Sequence, residues 1–214
     1  MLKVWGRRNA FNVQKVMWLI GELGLPHSHV HAGGPYGGLD DPRFLAMNPH
    51  GRVPVIDDDG TIIWESHAII RYLAARHGTG TLWPEDPADR SFADRWMDWS
   101  QASLQPDFMD LFWGYYRTPE KQRDWPTIRD RIERCKRHFR SLDRHLAGQP
   151  YLGGARFTMA DLPAGTALYR YFNLDIEHPD VPHVHAWYAR LAERPASRHN
   201  VMLPFDDLKG RLAF

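Results

Sequence analysis

The sequence predicts an α/β layer followed by an all-helical domain. Three observations predict it. Strand and helix patterns alternate over the first 78 residues, a Pro/Gly-rich stretch covers 79–88, and after it apolar residues recur at helical spacing without a strand pattern. A chain of 214 residues is long enough for two small domains. We therefore expect domains at 1–78 and 89–214, joined by a linker at 79–88.

The first four elements follow from residue spacing. Residues 2–5 form a short strand candidate, and apolar residues between Val13 and Leu23 recur every three or four positions until Gly24 ends the helix. Residues 27–31 alternate as a second strand. The glycine-rich segment 33–38 then predicts a flexible loop.

A hairpin and a helix complete the α/β layer. The strands 53–56 and 61–64 flank an acidic turn at 57–60. A helix then begins at Ser66 and ends at Gly78. The order strand–helix–strand–loop–strand–strand–helix predicts a sheet covered by helices.

The second half reads as helices. Residues 89–114 predict one long helix, and apolar residues within 128–146 recur in steps of three and four. Two more helices are predicted at 161–171 and 184–191. Residues 158–161 have the spacing of a capping box, with an aspartate in place of the usual glutamate, which indicates a structural role.

Composition excludes several classes. The net charge of +1 does not favour a nucleic-acid surface. No apolar run reaches the roughly 20 residues of a membrane span, and the first residues lack a signal-peptide layout. The single cysteine, Cys135, cannot form an internal disulfide. We expect a cytoplasmic protein without nucleic-acid or membrane partners.

The segment 48–56 is the most informative part of the chain. Pro54 has no backbone N–H and opens a strand beside a loop, where a cis peptide bond is expected. That geometry turns the N–H and C=O of Val53 away from the sheet. Ser66 lies at the start of a helix, where free N–H groups favour a carboxylate. Together they predict a site for a small extended peptide with an anion clamp.

Four motifs stand in a characteristic order: Gly6–Val16, the Val53-Pro54 loop, Glu65-Ser66 and Phe157–Leu162. With them the chain resembles the glutathione transferase superfamily over essentially its whole length, in particular bacterial cytosolic members near the theta, beta and nu classes. The resemblance implies a thioredoxin-like N-terminal domain, glutathione as co-substrate, a small apolar electrophile held by the helical domain, and a homodimer.

The resemblance also implies roles for the ligand-binding residues. Ser66 would hold the γ-glutamyl carboxylate and Glu65 the α-amino group. The backbone of Val53, before Pro54, would pair with the cysteinyl moiety, and Arg52 would reach the glycine carboxylate. The alternatives are a helix cap for Glu65 and Ser66 and a plain surface position for Arg52.

Thiol activation is the open question. A free thiol with a pKa of about 8.5 is mostly protonated at neutral pH, so the protein must supply donors or positive charge. Similar proteins commonly place a hydroxyl where this chain has Ala10. Asn12 and Arg8 are the predicted catalytic residues, Asn12 as an amide donor and Arg8 as a nearby cation. Helix capping by Asn9 or Asn12 and an exposed loop position for Arg8 are the alternatives.

The aromatic stretch 108–117 predicts the electrophile pocket. Tyr115 and Tyr116, together with Phe11, are its candidate lining residues, and helix–helix core packing is the alternative.

Metal binding is not predicted. His27, His29 and His31 share one strand face, but no cysteine or matched carboxylate accompanies them. Cys135 lies on an apolar stripe as a packed residue.

Two rival functions stay open beside conjugation. The first is a glutathione-dependent disulfide reductase or peroxidase on the same fold, which Asn12 permits. The second is a non-catalytic glutathione- or ligand-binding protein, which the missing hydroxyl at Ala10 favours.

Overall fold

A computed structural model describes residues 1–212. Within them the four strands are β1 Leu2–Trp5, β2 His27–Val30, β3 Val55–Asp58 and β4 Thr61–Trp64. The α-helices are α1 Phe11–Glu22, α2 Pro42–Met47, α3 Ser66–His77, α4 Pro87–Trp99, α5 Gln105–Leu111, α6 Trp125–Leu146, α7 Asp161–Phe172, α8 Pro182–Ala192 and α9 Pro195–Asn200. The predicted strands and helices of the α/β layer occur in the predicted order, with the short helix α2 added between β2 and β3.

The four strands form one mixed sheet in the order β2-β1-β3-β4. β1 and β2 are parallel and connected through α1, whereas β3 is antiparallel to both β1 and β4. β3 begins at Val55, two residues later than predicted, because Pro54 has no N–H for the ladder. The Val53–Pro54 peptide bond is cis, as predicted. The acidic turn is closed by Asp57, whose Oδ1 accepts from the Gly60 N–H at 2.7 Å.

The prediction of one continuous helix at 89–114 is wrong in its start and in its regularity. α4 begins earlier, at Pro87, because the Asp86 side chain caps it by accepting from the N–H groups of Ala88 and Asp89 at 2.8 and 3.0 Å. After α4 the chain forms two π-helical turns on either side of α5, at Ser100–Leu104 and Phe112–Arg117. A π-helical turn holds one residue more than an α-helical turn, and the apolar spacing alone does not reveal it.

The sequence analysis did not predict the two short helices α2 and α9. Both α2 and α9 have six residues, too few for a clear apolar period, yet both begin with a proline at the first helical position. Asp41 before Pro42 caps α2 by accepting from the Arg43 N–H at 2.8 Å. The proline signal was therefore present in the sequence for both helices, and a capping aspartate for α2 alone, although the periodicity was not.

α1 joins the two halves of the molecule. α1 packs against α3 of the α/β layer and against α7 and α9 of the helical domain. Gly165 on α7 permits this contact, since an added Cβ would lie 3.0 Å from the Trp18 ring. The Arg194 guanidinium donates to both carboxylate oxygens of Glu22, at 2.8 and 2.6 Å. The helix that begins at the predicted thiol site is thus fixed to the helical domain.

Residues 1–212 contain no helix that is both long and apolar enough to cross a membrane.

Candidate functional site

The loop before Pro54 is held by a buried asparagine. Asn48 is 2 % exposed, and its amide nitrogen donates to the Arg52 carbonyl at 2.8 Å while its oxygen accepts from the His50 N–H at 3.0 Å. The side chain of Arg52 is exposed and Val53 is half-buried. Sequence reasoning assigned no role to Asn48, although an asparagine opening a Pro/Gly loop is a turn signal.

The start of α3 has an unusual backbone. Glu65 has φ 68° and ψ 117°, a conformation that residues other than glycine rarely adopt and that costs about 1–3 kcal/mol. Ser66, the first residue of α3, is buried, whereas the Glu65 side chain is exposed. Within residues 1–212 the Glu65 side chain makes no capping hydrogen bond. Glu65 therefore occupies the N-cap position without capping the helix through its side chain.

The start of α1 has no side-chain cap within residues 1–212. Ala10 occupies the N-cap position with a buried methyl group, so the first N–H groups of the helix are not satisfied by a hydroxyl. Asn12 does not cap the helix, because its Oδ1 accepts from Nε2 of Gln105 on α5 at 3.2 Å. Arg8 is exposed, and its Nη2 lies 3.0 Å from Nε2 of His199.

Three arginines, Arg7, Arg117 and Arg170, lie close together near the start of α1. Arg170 on α7 is nearly buried and donates to the Asn9 carbonyl at 2.6 Å. Burial lowers the pKa of Arg170 to about 10; nearby Arg7 and Arg117 also lower it, and Asp207 opposes them. Positive charge beside the first turn of α1 favours an anion there. The sequence signal for this group is Arg170, the only basic residue of the helix at 161–172.

The aromatic residues form one connected series. The Phe11 ring lies 5.6 Å from that of Phe108, and Tyr116 lies 5.3 Å from Phe112 and 5.0 Å from Phe205. Phe108 and Phe112 are fully buried, so this part of the stretch is helix–helix core. Phe11 and Tyr116 therefore belong to one packed series, which links the start of α1 to the segment after α9.

Two cavities flank that last segment. One, of about 340 Å³, lies in front of α1 and is lined by Arg7, Arg8, Asn9, His31, Pro35, Tyr36, Leu203, Pro204 and Asp207. The other, of about 470 Å³, is lined by Tyr115, Tyr116, Glu120, Arg123, Trp125, Asn173, Asp175, Asp206 and Lys209. Tyr115 and Tyr116 thus line a cavity together, but its wall carries more charged groups than the aromatic stretch alone predicts. The hydroxyl of Tyr115 donates to the Asp175 carbonyl at 2.5 Å.

The rings of His29 and His31 lie 4.9 Å apart, and each also has a local partner. Nε2 of His29 lies 2.7 Å from the Gly6 carbonyl, and the ring of His31, beyond the end of β2, stacks on Tyr36 at 4.5 Å. The described part of the chain contains no group of three potential metal ligands. Cys135 is buried in the helical domain, where burial raises its thiol pKa to about 12.

Sequence reasoning also missed a buried polar group between the two domains. Lys15 on α1 is fully buried and contacts His67 on α3 and Gln105 on α5. The signal was a lysine inside the apolar run of α1, between Val13 and Met17.

The fold and the site together define a class of protein. It is a thioredoxin-like layer with a cis Val53–Pro54 bond before β3, packed against an all-helical domain.

Comparisons with known proteins give the family. The family model described as glutathione S-transferase, N-terminal domain, matches residues 7–81, and the C-terminal domain model matches residues 104–195. Glutathione S-transferase GstB of Escherichia coli K12 is 40% identical over 206 residues, which cover 95% of this chain and 99% of that protein. Glutathione S-transferase 3 of Zea mays is 30% identical over 94% of this chain and 93% of that protein. The chain belongs to the glutathione S-transferase family.

A solved relative agrees with this. The theta class glutathione S-transferase of Xanthomonas axonopodis pv. citri, determined with glutathione bound, has a TM-score of 0.91 and 44% identity and covers 95% of this chain and 98% of its own. The predicted family, two-part fold and transferase class are confirmed. The domain boundaries at 1–78 and 89–214 and the roles of single residues stay predictions.

Proposed function

We propose that the chain binds glutathione between the Val53-Pro54 loop and the starts of α1 and α3, and transfers its thiolate to a small apolar electrophile. The observation that carries the proposal is the backbone of Glu65, held at φ 68° so that an exposed carboxylate and the buried Ser66 open α3 side by side. A relative 44% identical to the chain was solved with glutathione bound, which supports the same ligand.

Each end of the tripeptide has a chemically matched partner. Ser66 offers a hydroxyl and a helix N-terminal N–H to the γ-glutamyl carboxylate, and Glu65 offers a carboxylate to the adjacent ammonium. The half-buried Val53 offers its backbone to the cysteinyl unit. The exposed Arg52 has the charge and reach for the glycine carboxylate.

Thiolate stabilisation in this proposal comes from several weak donors. Asn12 offers its amide N–H, the first turn of α1 offers backbone N–H groups, and Arg8 adds positive charge although His199 holds its guanidinium. A neutral donor contributes about 1 kcal/mol, less than one pKa unit, and the helix dipole a similar amount. The thiol pKa should therefore be lowered only modestly, with slow turnover of aryl halides.

The electrophile would lie against the aromatic series that starts at Phe11. The cavity in front of α1 is next to the proposed thiolate, and the cavity at Tyr115 and Tyr116 lies across the segment after α9. Phe11 is buried and lines neither cavity. The ring surface available to an electrophile therefore comes from Tyr115, Tyr116 and Trp125, which supports an apolar or aromatic electrophile.

We further propose a homodimer in the cytoplasm. Exposed apolar side chains on the edge strand β4 and on α4, Ile62 at 39% and Phe92 at 46%, support a partner surface there. The unpaired thiol of Cys135 supports a reducing compartment. Sedimentation of the wild type at micromolar concentration should give about twice the 24.9 kDa chain mass, and the monomer mass would contradict the dimer. Fractionation of the source cells checks the location.

Calorimetric titration with glutathione tests the ligand site. Ser66→Ala and Glu65→Gln should each raise the dissociation constant roughly 10- to 100-fold, since each removes a charge-assisted hydrogen bond of about 1.5–3 kcal/mol. Ser197→Ala, at an equally buried serine on α9, is the matched control. Unchanged affinity in both site variants would remove the proposed ligand contacts.

Parallel assays with an aryl halide, a hydroperoxide and a mixed glutathione disulfide test the reaction. Conjugation predicts turnover of the aryl halide. Asn12 permits a glutathione-dependent disulfide reductase or peroxidase as the second candidate, and preferential turnover of either other substrate would select it. Glutathione binding without turnover of any substrate would leave a binding protein.

A further inference from the structure

Lys15 is a lysine with no exposed surface. It lies on α1 one turn after Phe11, and its Nζ is 4.9 Å from the centre of the Phe11 ring. Nζ lies 3.2 Å from Nε2 of His67 and donates to Oε1 of Gln105. Burying an ammonium group is unfavourable unless its hydrogen bonds are satisfied, so the surrounding polar groups must face it in a defined way.

The lysine dictates the orientation of two side-chain amides in series. An ammonium group donates hydrogen bonds and accepts none, so Gln105 must turn its oxygen toward Lys15. Its Nε2 then points the other way and donates to Oδ1 of Asn12 at 3.2 Å. Because the oxygen of Asn12 is engaged, its Nδ2 is left for another acceptor, and within residues 1–212 it has none. Lys15 thus donates to Gln105, and Gln105 in turn donates to Asn12 at the start of α1.

The charges around Lys15 preserve this direction at neutral pH. Burial lowers the pKa of His67 to about 2, with Lys15 and Arg71 adding to the effect, so the ring is neutral and its Nε2 accepts. Burial lowers the pKa of Lys15 itself to about 7, and the Glu65 carboxylate opposes that change. An uncharged amine still has two N–H groups for its two acceptors. Both contacts of Lys15 can thus be made by donation with or without the charge.

We propose that Lys15 is a positioning residue of the glutathione site, which acts through Gln105 to present the amide N–H of Asn12, rather than its oxygen, to the bound thiolate. The inference rests on the proposed function, in which Asn12 contacts the sulfur. Without the donor at residue 15, the Gln105 and Asn12 amides can both turn over. An oxygen would then face the thiolate and disfavour it.

The thiol pKa of glutathione bound to the full-length protein tests this, measured from the ultraviolet absorbance of the thiolate. Lys15→Met should raise it by about 0.5–1 pH unit, the contribution of one neutral hydrogen bond. Lys15→Arg, which also only donates, should restore the wild-type value. In an Asn12→Ala background, Lys15→Met should add no further increase. Gln105→Met removes the middle amide of the series at a half-buried position. It should raise the thiol pKa by the same amount, and it provides the test if Lys15→Met fails to fold.

A second buried lysine provides the control. Lys136 on α6 is 5% exposed and paired with Glu133 and Glu177 in the helical domain, so Lys136→Met should leave the thiol pKa unchanged. If Asn12→Ala raises the thiol pKa but Lys15→Met and Gln105→Met do not, the positioning role alone is wrong. An increase that persists in the Asn12→Ala background also overturns it. A wild-type protein that binds no glutathione would overturn the proposed function and this inference together.

Discussion

Replacing Arg194 by alanine should weaken the attachment of α1 to the helical domain. The guanidinium makes two hydrogen bonds to Glu22, at 2.8 and 2.6 Å, and lies 3.9 Å from the centre of the Phe157 ring. The Glu22 side chain is only 9% exposed and that of Arg194 30% exposed. The variant would leave a nearly buried carboxylate with Trp18 Nε1 as its remaining donor, at 2.8 Å.

The magnitude follows from the burial. Removing one partner of a buried ion pair costs about 3–5 kcal/mol, and the partial exposure of Arg194 brings the expected loss to about 2–3 kcal/mol. Arg194→Lys keeps the charge but loses the bidentate hydrogen bonding, so its expected loss in the free energy of unfolding is smaller, about 1 kcal/mol.

Urea denaturation followed by tryptophan fluorescence measures the free energy of unfolding. The matched control is Arg43→Ala, because Arg43 pairs with Asp41 while its own side chain is 92% exposed, and an exposed pair contributes little to the free energy of unfolding. Equal losses for Arg194→Ala and Arg43→Ala would refute the reasoning, since burial would then make no difference.

Three further predictions concern the site and the helical domain. Ala10→Ser should lower the thiol pKa of bound glutathione by about 0.5 pH unit, seen in thiolate absorbance, because it adds a donor at the start of α1. Asn48→Ala should raise the glutathione dissociation constant about ten-fold in calorimetry, because it removes both hydrogen bonds that hold the loop before Pro54. Burial raises the pKa of Asp161 to about 6 from its usual 3.8, despite three N–H donors. The folded state then binds more protons than the unfolded state between these values, so the contribution of Asp161 to stability should fall as pH rises from about 4 to 6, by up to about 3 kcal/mol. Asp161→Asn should flatten that part of the pH dependence of unfolding.

Local patterns were sufficient for most of the fold. The period of apolar residues located α1 and α3, and the alternation on either side of the acidic turn located β4 at Thr61–Trp64 as predicted. The pattern failed where backbone hydrogen bonding departs from the regular period, at the turn Ser100–Leu104, and in helices of six residues such as α2.

The residues of the candidate site also fall into those that the sequence predicted and those that it did not. The Val53-Pro54 loop and the pair Glu65-Ser66 could be predicted because their function depends on neighbours in sequence. Lys15 and Arg170 could not be assigned, because each acts through a residue far away in the chain, Gln105 and Asn9 respectively. A buried charge is visible in the sequence only as an exception to an apolar run, and its partner is set by the packing of helices.

The π-helical turn before α5 fixes the angular position of the inter-domain contacts. A π-helical turn holds one residue more than an α-helical turn, so Ser100–Leu104 takes up an extra residue between α4 and α5. With this residue in place, Gln105 meets Lys15 and Phe108 meets Phe11. The turn therefore helps to set which side chains of α5 face α1, although it lies outside the site itself.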